Sequence, residues 1–270
     1  MELDDFTTFE LNGWEQIAAA YKPRFGEVTK QSNGALLDAL DVRAGTRFLD
    51  VATGPGYVAG VAASRGAQAV GVDFAQAMID EATRAYPNVA FRRGSADALP
   101  FADGGFDAVG ISFGLLHFSD PDEALAEAFR VLRSGAKVGF TVWSTPDRAV
   151  DFGIVLKAVE TYGRLDVPLP SGPPFARFSD WRECERTLRA VGFVEPRMTE
   201  VSQILHTRAP ETAFHMMLHG GVRMGAMLKA QTPEALASIE ASVLEECAPY
   251  RNGDDIRVPM PCVLACATKP

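Results

Sequence analysis

The sequence predicts an α/β fold of the doubly wound kind, in which helices cover both faces of a mostly parallel sheet. Between residues 46 and 143, segments typical of strands alternate with segments typical of helices, and such alternation is characteristic of parallel sheets. A glycine-rich turn, Gly54-Pro-Gly56, follows the first strand, and the second strand ends in Asp73, 19 residues after Gly54. In doubly wound folds this combination brings the backbone close to a nucleotide-like ligand.

The predicted elements follow one another along the chain. The first helices lie at 10–21, where Trp14, Ile17 and Tyr21 share one face, and at 32–41, where Ser32 or Asn33 can serve as the N-cap. The alternating region then contains strands at 46–51, 69–73, 89–93, 106–113 and 136–143. The helices between these strands are predicted at 57–65, 75–86 and 121–132.

Beyond Trp143 the alternation loosens. Helices are predicted at 149–162, 180–190, 210–230 and 233–248, and further strands at 194–205 and 257–268. The run 168–174 is too rich in proline for a helix or a central strand, so we expect a lid loop or an extended connector there. The long helical excursion between the last two strands is an insertion on the scaffold, and such insertions often build substrate pockets.

The composition and charge argue against several classes of protein. The formal net charge is 26 − 35 = −9, which disfavours nucleic acid as a partner. No apolar run reaches the roughly 18–20 residues needed to cross a bilayer, and the N-terminus lacks a signal-peptide layout, so we expect a cytoplasmic protein. The four cysteines are few and widely spaced, which suits a reducing compartment. We interpret them as small buried hydrophobic residues, with a metal or disulfide role left open, at Cys184, Cys247, Cys262 and Cys266.

The position of Asp50 before the glycines indicates which ligand the turn binds. A carboxylate at the end of the first strand can hold a cationic amine, whereas it would repel a pyrophosphate. We therefore expect a cofactor with a positively charged amino-acid end, such as S-adenosylmethionine, rather than NAD. The alternative is an NAD(P)-binding oxidoreductase, because Gly54, Gly56 and Ala59 together with Asp73 also fit the dinucleotide fingerprint.

Two further carboxylates follow later strands. Asp73 can accept hydrogen bonds from both hydroxyls of a ribose, and the alternative is that it caps the next helix. Asp97, in Gly94-Ser-Ala-Asp97, can accept a hydrogen bond from an adenine amino group. The alternative there is an Asx turn, in which the side chain bonds its own backbone.

Four segments in this order resemble the class I S-adenosylmethionine-dependent methyltransferases, especially the small-molecule enzymes of the ubiquinone/menaquinone-biosynthesis type. These segments are Leu49-Asp-Val-Ala-Thr-Gly-Pro-Gly56, Gly71-Val-Asp-Phe74, Ala96-Asp-Ala-Leu-Pro-Phe101 and Phe106-Asp-Ala-Val109. The resemblance covers roughly residues 10–145. Three residues depart from the family pattern: Thr53 in place of a frequent cysteine, Ala75 in place of a frequent serine and Ser134 in place of the usual proline.

The resemblance implies a Rossmann-like, seven-stranded, mostly parallel sheet with an antiparallel last strand and helical substrate-lid insertions. We expect a single domain, 1–270, in three parts. Residues 1–45 would form N-terminal lid helices and 46–145 the cofactor-binding core. Residues 146–270 would form the substrate-side half, with the helical insertion at about 206–250.

The resemblance also implies a set of S-adenosylmethionine-binding residues. Asp50, Ala52, Thr53, Gly54 and Gly56 would form the turn at the methionine end. Asp73 would bind the ribose. The remaining predicted contacts are the adenine neighbours Phe74, Met78, Ala96, Asp97 and Ala98, the residues below the sulfonium, Ser112 and Phe113, and the lid residues Trp14 and Tyr21.

Methyl transfer itself asks mainly for positioning, because the sulfonium methyl is already activated. An acceptor hydroxyl or acidic carbon also needs a base, and by family analogy His117 lies near the transfer site. His117 is our candidate base, with a structural hydrogen-bonding role as the alternative. Candidate substrate-lining residues are Trp143, Phe175, His215 and Met216. His215 and His219 have a spacing that can bind metal, but we predict no metal site.

The predicted function is methyl transfer from S-adenosylmethionine to an oxygen or carbon of a small, partly apolar acceptor. A non-catalytic S-adenosylmethionine-binding protein on the same fold is a further alternative. The C-terminal helices could instead cover the sheet or form a homodimer.

Overall fold

The structure, a computed structural model, describes residues 3–21 and 25–270, so residues 1, 2 and 22–24 of the predicted lid region lie outside it. Seven strands form the main sheet: β1 Arg47–Val51, β2 Gln68–Asp73, β3 Ala90–Arg93, β4 Phe106–Ser112, β5 Leu132–Trp143, β6 Val194–Val201 and β10 Cys262–Thr268. Their order is β3-β2-β1-β4-β5-β10-β6. Strands β1 to β5 are parallel, and β10 is antiparallel to both β5 and β6. The predicted sheet with an antiparallel last strand is confirmed.

Eleven helices are assigned in the described ranges. They are α1 Asp5–Tyr21, α2 Phe25–Thr29, α3 Asn33–Ala39, α4 Tyr57–Ser64, α5 Gln76–Ala85, α6 Pro121–Val131, α7 Val150–Tyr162, α8 Trp181–Val191, α9 Thr212–Gly220, α10 Val222–Lys229 and α11 Pro233–Glu246. Successive residues of β1 lie in different hydrophobic clusters on the two faces of the sheet. Phe48 packs in the cluster that contains residues of α3 and α4, and Leu49 in the cluster that contains residues of α6 and α7. Both faces of the sheet are therefore covered, as the alternation predicts.

The two strands predicted after Trp143 are each divided, and the prediction of continuous strands there was wrong. β6 ends at Val201, and residues Ile204–Thr207 form β7 in a separate three-stranded sheet with β9, Asp255–Pro259, and β8, Arg251–Asn252. Between β6 and β7 the buried Gln203 donates a hydrogen bond to the Val28 carbonyl at 2.8 Å, which directs the chain away from the main sheet. Between β9 and β10 lies Pro261, which has no N–H to continue a ladder.

The start of α5 depends on a distant side chain. Ala75 occupies the N-cap position and supplies no side-chain hydrogen bond. The Glu15 carboxylate of α1 instead accepts hydrogen bonds from the Gln76 and Ala77 amides, at 2.7 and 3.0 Å. A negative charge at a helix N-terminus is favourable because it satisfies free amides and the helix dipole. This contact compensates for the alanine and fixes α1 beside the carboxyl ends of the strands.

The C-terminal helices pack beside α1 and α7. The predicted 210–230 helix is interrupted at Gly221, whose backbone is extended, so α9 and α10 are separate helices. The proline-rich run 168–174 has neither helix nor strand. Within it Gly172 lies so close to the Phe6 ring that a Cβ would be 2.3 Å from it, so the run packs against α1. In the described ranges, no helix has the length and apolar character of a membrane span.

Candidate cofactor and acceptor site

Four clefts adjoin one another beyond the carboxyl ends of β1, β2, β4 and β5. The first cleft is lined by most of the residues predicted to bind the cofactor, namely Trp14, Tyr21, Ala52, Thr53, Gly54, Asp73, Phe74, Met78, Ser112 and Phe113. The second cleft adds Ala96 and Asp97 and shares Ala52, Asp73 and Phe74 with the first. The first cleft encloses about 630 Å³, counting its open mouth, which is within the usual range for ligand sites.

The glycine turn leaves open space at one glycine and is tightly packed at the other. Gly54 has φ +51°, and a Cβ built on it would meet nothing within 4 Å. The backbone at Gly54 therefore borders free volume in the first cleft, as close approach to a ligand requires. Gly56 does not line the cleft, and a Cβ there would lie 2.8 Å from the Phe91 ring. Its glycine is needed for packing against the sheet.

Asp50 lies behind the turn and does not line the clefts. Its carboxylate is 1% exposed, and Oδ2 accepts hydrogen bonds from the Thr53 hydroxyl at 2.6 Å and the Ala59 amide at 3.0 Å. Among the described residues, Oδ1 has no partner. Burial raises the pKa of Asp50 to about 7. The carboxylate thus holds the shape of the turn, and its predicted contact with a cationic amine stays a prediction.

Asp73 lines both the first and the second cleft. Its two oxygens accept hydrogen bonds from the Gly54 amide at 2.9 Å and the Ala75 amide at 3.0 Å. The bond to Ala75 is a local contact with the residue two positions on, and the N-cap of α5 is Ala75 itself, so Asp73 is not the helix cap considered as the alternative. Because each carboxylate oxygen has a second lone pair, these bonds fix the side chain and leave it able to accept from a ligand. Burial raises the pKa of Asp73 to about 6.

The second cleft contains the loop after β3. Asp97 is exposed on this loop, and no hydrogen bond joins its side chain to a neighbouring backbone amide, so the Asx turn considered as an alternative is not formed. Ala98 is exposed and does not line the cleft. Of the three predicted adenine-binding residues on this loop, Ala96 and Asp97 therefore line the second cleft and Ala98 does not.

His117 lines the first three clefts and is held by a carboxylate that the sequence pattern did not indicate. Glu10 of α1 is fully buried, and its Oε2 lies 2.9 Å from His117 Nδ1 and 3.1 Å from Trp14 Nε1. The Trp14 ring also packs edge-on against the imidazole, with 4.8 Å between centroids. A carboxylate on Nδ1 favours the tautomer in which Nε2 is free to accept a proton. An available signal was the spacing of Glu10 and Trp14, four residues apart on one helix face.

An aromatic wall separates the sheet edge from the C-terminal helices. Phe113 lies 4.3 Å from Trp143, Trp143 lies 5.3 Å from Phe152, and Phe152 lies 5.5 Å from Phe175, all between ring centroids. Phe113 has φ +54°, an uncommon value for a bulky residue that is often found at functional sites.

These rings line the third and fourth clefts. The third cleft shares Trp14, Tyr21, Phe113 and His117 with the first. The fourth shares Trp143, Phe152, Phe175, Arg223 and Met224 with the third and encloses about 800 Å³ with its mouth. The clefts therefore adjoin one another from the first, past His117, to the fourth, and the third and fourth are lined mainly by apolar side chains.

The structure separates the four predicted substrate residues into two pairs. Trp143 and Phe175 line the third and fourth clefts, whereas His215 and Met216 line neither. Met216 is fully buried in the core of α9. His215 points to the other side of that helix, half-exposed, with Nε2 3.7 Å from a Glu240 oxygen. The residues that occupy the expected place are Arg223 and Met224 of α10.

Other cleft residues also lacked a sequence signal. Tyr57, directly after the glycine turn, lines the first cleft, and its hydroxyl is buried without a partner among the described residues. Asn33 of α3 lines the same cleft. In the described ranges, no three or more His, Cys, Asp or Glu side chains are grouped closely enough to hold a metal ion.

Comparisons with known proteins give the family. A model described as "Methyltransferase domain" matches residues 49–140. The demethylmenaquinone methyltransferase of Beutenbergia cavernae is 46% identical over 112 residues, which are 42% of this chain and 47% of that protein. The enzyme of the same name from Clavibacter sepedonicus is 31% identical over 245 residues, which are 82% of this chain and 93% of the relative.

A solved structure shows the same fold. The S-adenosylmethionine-dependent methyltransferase of Thermotoga maritima superposes with a TM-score of 0.55 at 16% identity, covering 97% of this chain and all of that one. The chain spans about half the length of several curated relatives that it matches, such as the Beutenbergia protein at 47%. The Clavibacter relative is matched over nearly its whole length. The chain therefore belongs to the class I S-adenosylmethionine-dependent methyltransferases of the ubiquinone/menaquinone-biosynthesis type, and its cofactor is S-adenosylmethionine.

Proposed function

We propose that this protein transfers a methyl group from S-adenosylmethionine to an oxygen or an acidic carbon of a small, largely apolar acceptor. The observation that carries the proposal is the meeting of two kinds of cleft at Phe113 and His117. On one side lies the glycine turn with Asp73, and on the other lies the aromatic wall. Two ligands bound on the two sides would touch at these residues.

The described side chains fit the cofactor. The free volume at Gly54 suits a close-lying ligand. Asp73 is fixed by backbone amides and can accept from the ribose hydroxyls, and Asp97 can accept from the adenine amino group. The unpartnered Tyr57 hydroxyl and Asn33 can contact the polar methionine end. These assignments include two residues, Tyr57 and Asn33, beyond those expected from the family.

The chain has three tasks in the reaction. When bound, S-adenosylmethionine supplies a methyl group that is already activated by the sulfonium. Phe113, Trp143 and Phe175 position an apolar acceptor and exclude water, which is the main requirement of a displacement between two bound partners. The third task is removal of a proton from the acceptor.

His117 is suited to that proton transfer. With Nδ1–H donated to Glu10, its Nε2 can accept the proton of an acceptor O–H or C–H as the acceptor atom bonds to the methyl group. The Glu10 carboxylate stabilises the resulting imidazolium, as the carboxylate does in other His–carboxylate pairs. Glu10 acts through His117 and is therefore a positioning residue.

The relatives narrow the choice of acceptor. Those named demethylmenaquinone methyltransferase act, by that name, on demethylmenaquinone. An apolar acceptor of that general kind agrees with the aromatic path through the third and fourth clefts. Demethylmenaquinone in its reduced form is therefore the first acceptor to test.

Two measurements test the proposal. Isothermal titration with S-adenosylhomocysteine and with NAD separates the methyltransferase from the dinucleotide-binding alternative, and we expect binding of the first only. Transfer of labelled methyl to reduced demethylmenaquinone or to a small-molecule cell extract then separates an enzyme from a non-catalytic binding protein. Cofactor binding with no labelled product from either source would contradict the proposed activity.

A further inference from the structure

Arg223 is placed unusually for a cation. It lies in the first turn of α10, is half-buried, and lines both the third and the fourth cleft. Its guanidinium carbon lies 5.3 Å from the Phe6 ring centroid and 5.8 Å from that of Phe175. The charge is therefore surrounded by aromatic faces in the middle of the proposed acceptor path.

The guanidinium has few polar partners. Nη1 donates to the Pro173 carbonyl at 3.1 Å, and within the described part of the chain this is its one hydrogen bond. A guanidinium carries five N–H donors, so most of them remain for another partner. Among the described arginines, those without a carboxylate within 4 Å are all exposed, with the single exception of Arg223.

A buried cation without an anion is costly, and the nearest charge that offsets this cost is Glu10. Burial lowers the pKa of Arg223, and the Glu10 charge acts in the opposite direction. Glu10 Oε2 is shared between Trp14 and His117, and Oε1 is buried without a hydrogen-bond partner among the described residues, but neither oxygen forms an ion pair with the guanidinium. An arginine remains protonated in proteins even when its pKa falls. The cleft therefore contains a positive charge that has no carboxylate within 4 Å among the described residues.

We propose that Arg223 binds a carboxylate carried by the acceptor, so that an apolar, typically aromatic, carboxylic acid is preferred to demethylmenaquinone, which has no carboxylate. A guanidinium matches a carboxylate in a two-bond fork, and the Phe6 and Phe175 faces hold the fork while the rest of the acceptor lies along the aromatic wall. This inference rests on the proposed function, because it takes the third and fourth clefts as the acceptor site.

The competing explanation is structural. Arg223 could serve only to fasten the proline-rich run to α10 through Pro173. In that case substitution of Arg223 would reduce the affinity of the fourth cleft for charged and neutral ligands to the same degree. If Arg223 binds a carboxylate, its substitution should instead reduce the affinity for the charged ligand alone.

The test uses a matched pair of probes, 2-naphthoate and 2-naphthamide, which share ring and shape and differ in charge. Protein saturated with S-adenosylhomocysteine is titrated with each probe by calorimetry. We expect wild type to bind naphthoate about tenfold more tightly or better, the scale of a charge-assisted hydrogen bond. Arg223→Gln should abolish this preference while naphthamide affinity is kept.

Two variants complete the design. Arg182→Gln removes the same charge from an exposed position on α8 and should keep the preference. Arg223→Lys keeps the charge without the fork, so it should weaken naphthoate binding several-fold while leaving naphthamide unchanged. If Arg223→Gln does not fold, the ratio of naphthoate to naphthamide affinity is compared between Arg223→Lys and wild type instead.

The inference is overturned if wild type fails to bind naphthoate or does not prefer it to naphthamide. It is equally overturned if substitution of Arg223 weakens both probes to the same degree. Failure of the proposed function has a different signature, namely no binding of S-adenosylhomocysteine or no methyl transfer by wild type.

Discussion

Replacement of Glu10 by glutamine tests the assignment of His117 as the base. Glutamine has nearly the same shape and its amide oxygen can still accept from His117 Nδ1, so the 2.9 Å contact can persist without the negative charge. A hydrogen bond to a charged group contributes about 1.5–3 kcal/mol and a neutral one about 0.5–1.5 kcal/mol. The difference, about 1–1.5 kcal/mol, should appear as a loss of stabilisation of the imidazolium in the transition state.

The expected result is a decrease in kcat of about tenfold, since 1.4 kcal/mol corresponds to a factor of ten. The assay is labelled methyl transfer at saturating acceptor and cofactor, combined with calorimetry for S-adenosylhomocysteine. Because Glu10 lies behind His117 and does not line the first cleft, cofactor affinity should not change. The control is Glu245→Gln, an exposed residue on α11. An unchanged kcat, or a fall that is matched by weaker cofactor binding, would refute the role of Glu10 and His117.

Three further substitutions have defined outcomes. Gly54→Val should abolish S-adenosylhomocysteine binding in calorimetry with a folded circular dichroism spectrum, because its side chain enters free cleft volume. Gly45 also has a positive φ, +83° against +51° at Gly54, and open space at a remote turn, so Gly45→Val should bind normally, and normal binding by both variants would place the cofactor elsewhere. Asp73→Ala should weaken the same binding by about 1.5–3 kcal/mol, and an unchanged Kd would exclude the ribose role. Asp151 is fully buried with neither oxygen partnered among the described residues, and burial raises its pKa well above the ordinary value. Its contribution to stability is therefore present below the unfolded pKa and lost as pH rises. The free energy of unfolding of Asp151→Asn, measured in urea, should therefore rise relative to that of wild type by up to about 1.4 kcal/mol per pH unit above about pH 4. An equal difference between the two proteins at pH 5 and pH 8 would contradict this.

The parts of the fold that were predictable depend on local signals. The strand before Asp50, the turn at Gly54 and the carboxylate of Asp73 are encoded within short segments, and the parallel core follows from their alternation. The continuous strands at 194–205 and 257–268 were wrong because short-range pattern does not show where a chain changes sheets. Gln203 and Pro261 determine those breaks.

The candidate site was predictable only where the family motifs extend. The contact of Glu10 with His117 joins residues 107 positions apart, and the contact of Glu15 with the start of α5 spans 61 positions. The spacing of Glu10 and Trp14 on α1 is the only local signal for the first contact, and it does not identify His117 as the partner. Similarly, helical spacing does not show which side of α9 faces a cleft, and Arg223 and Met224 of α10 line the third and fourth clefts, whereas His215 and Met216 do not.

The central claim is that the cofactor and the acceptor meet at Phe113 and His117. A crystal structure with S-adenosylhomocysteine tests it most directly. We expect the ribose hydroxyls on Asp73 and the sulfur at the junction of the first and third clefts, facing His117. A sulfur atom more than about 10 Å from both Phe113 and His117, well beyond contact distance, would contradict it.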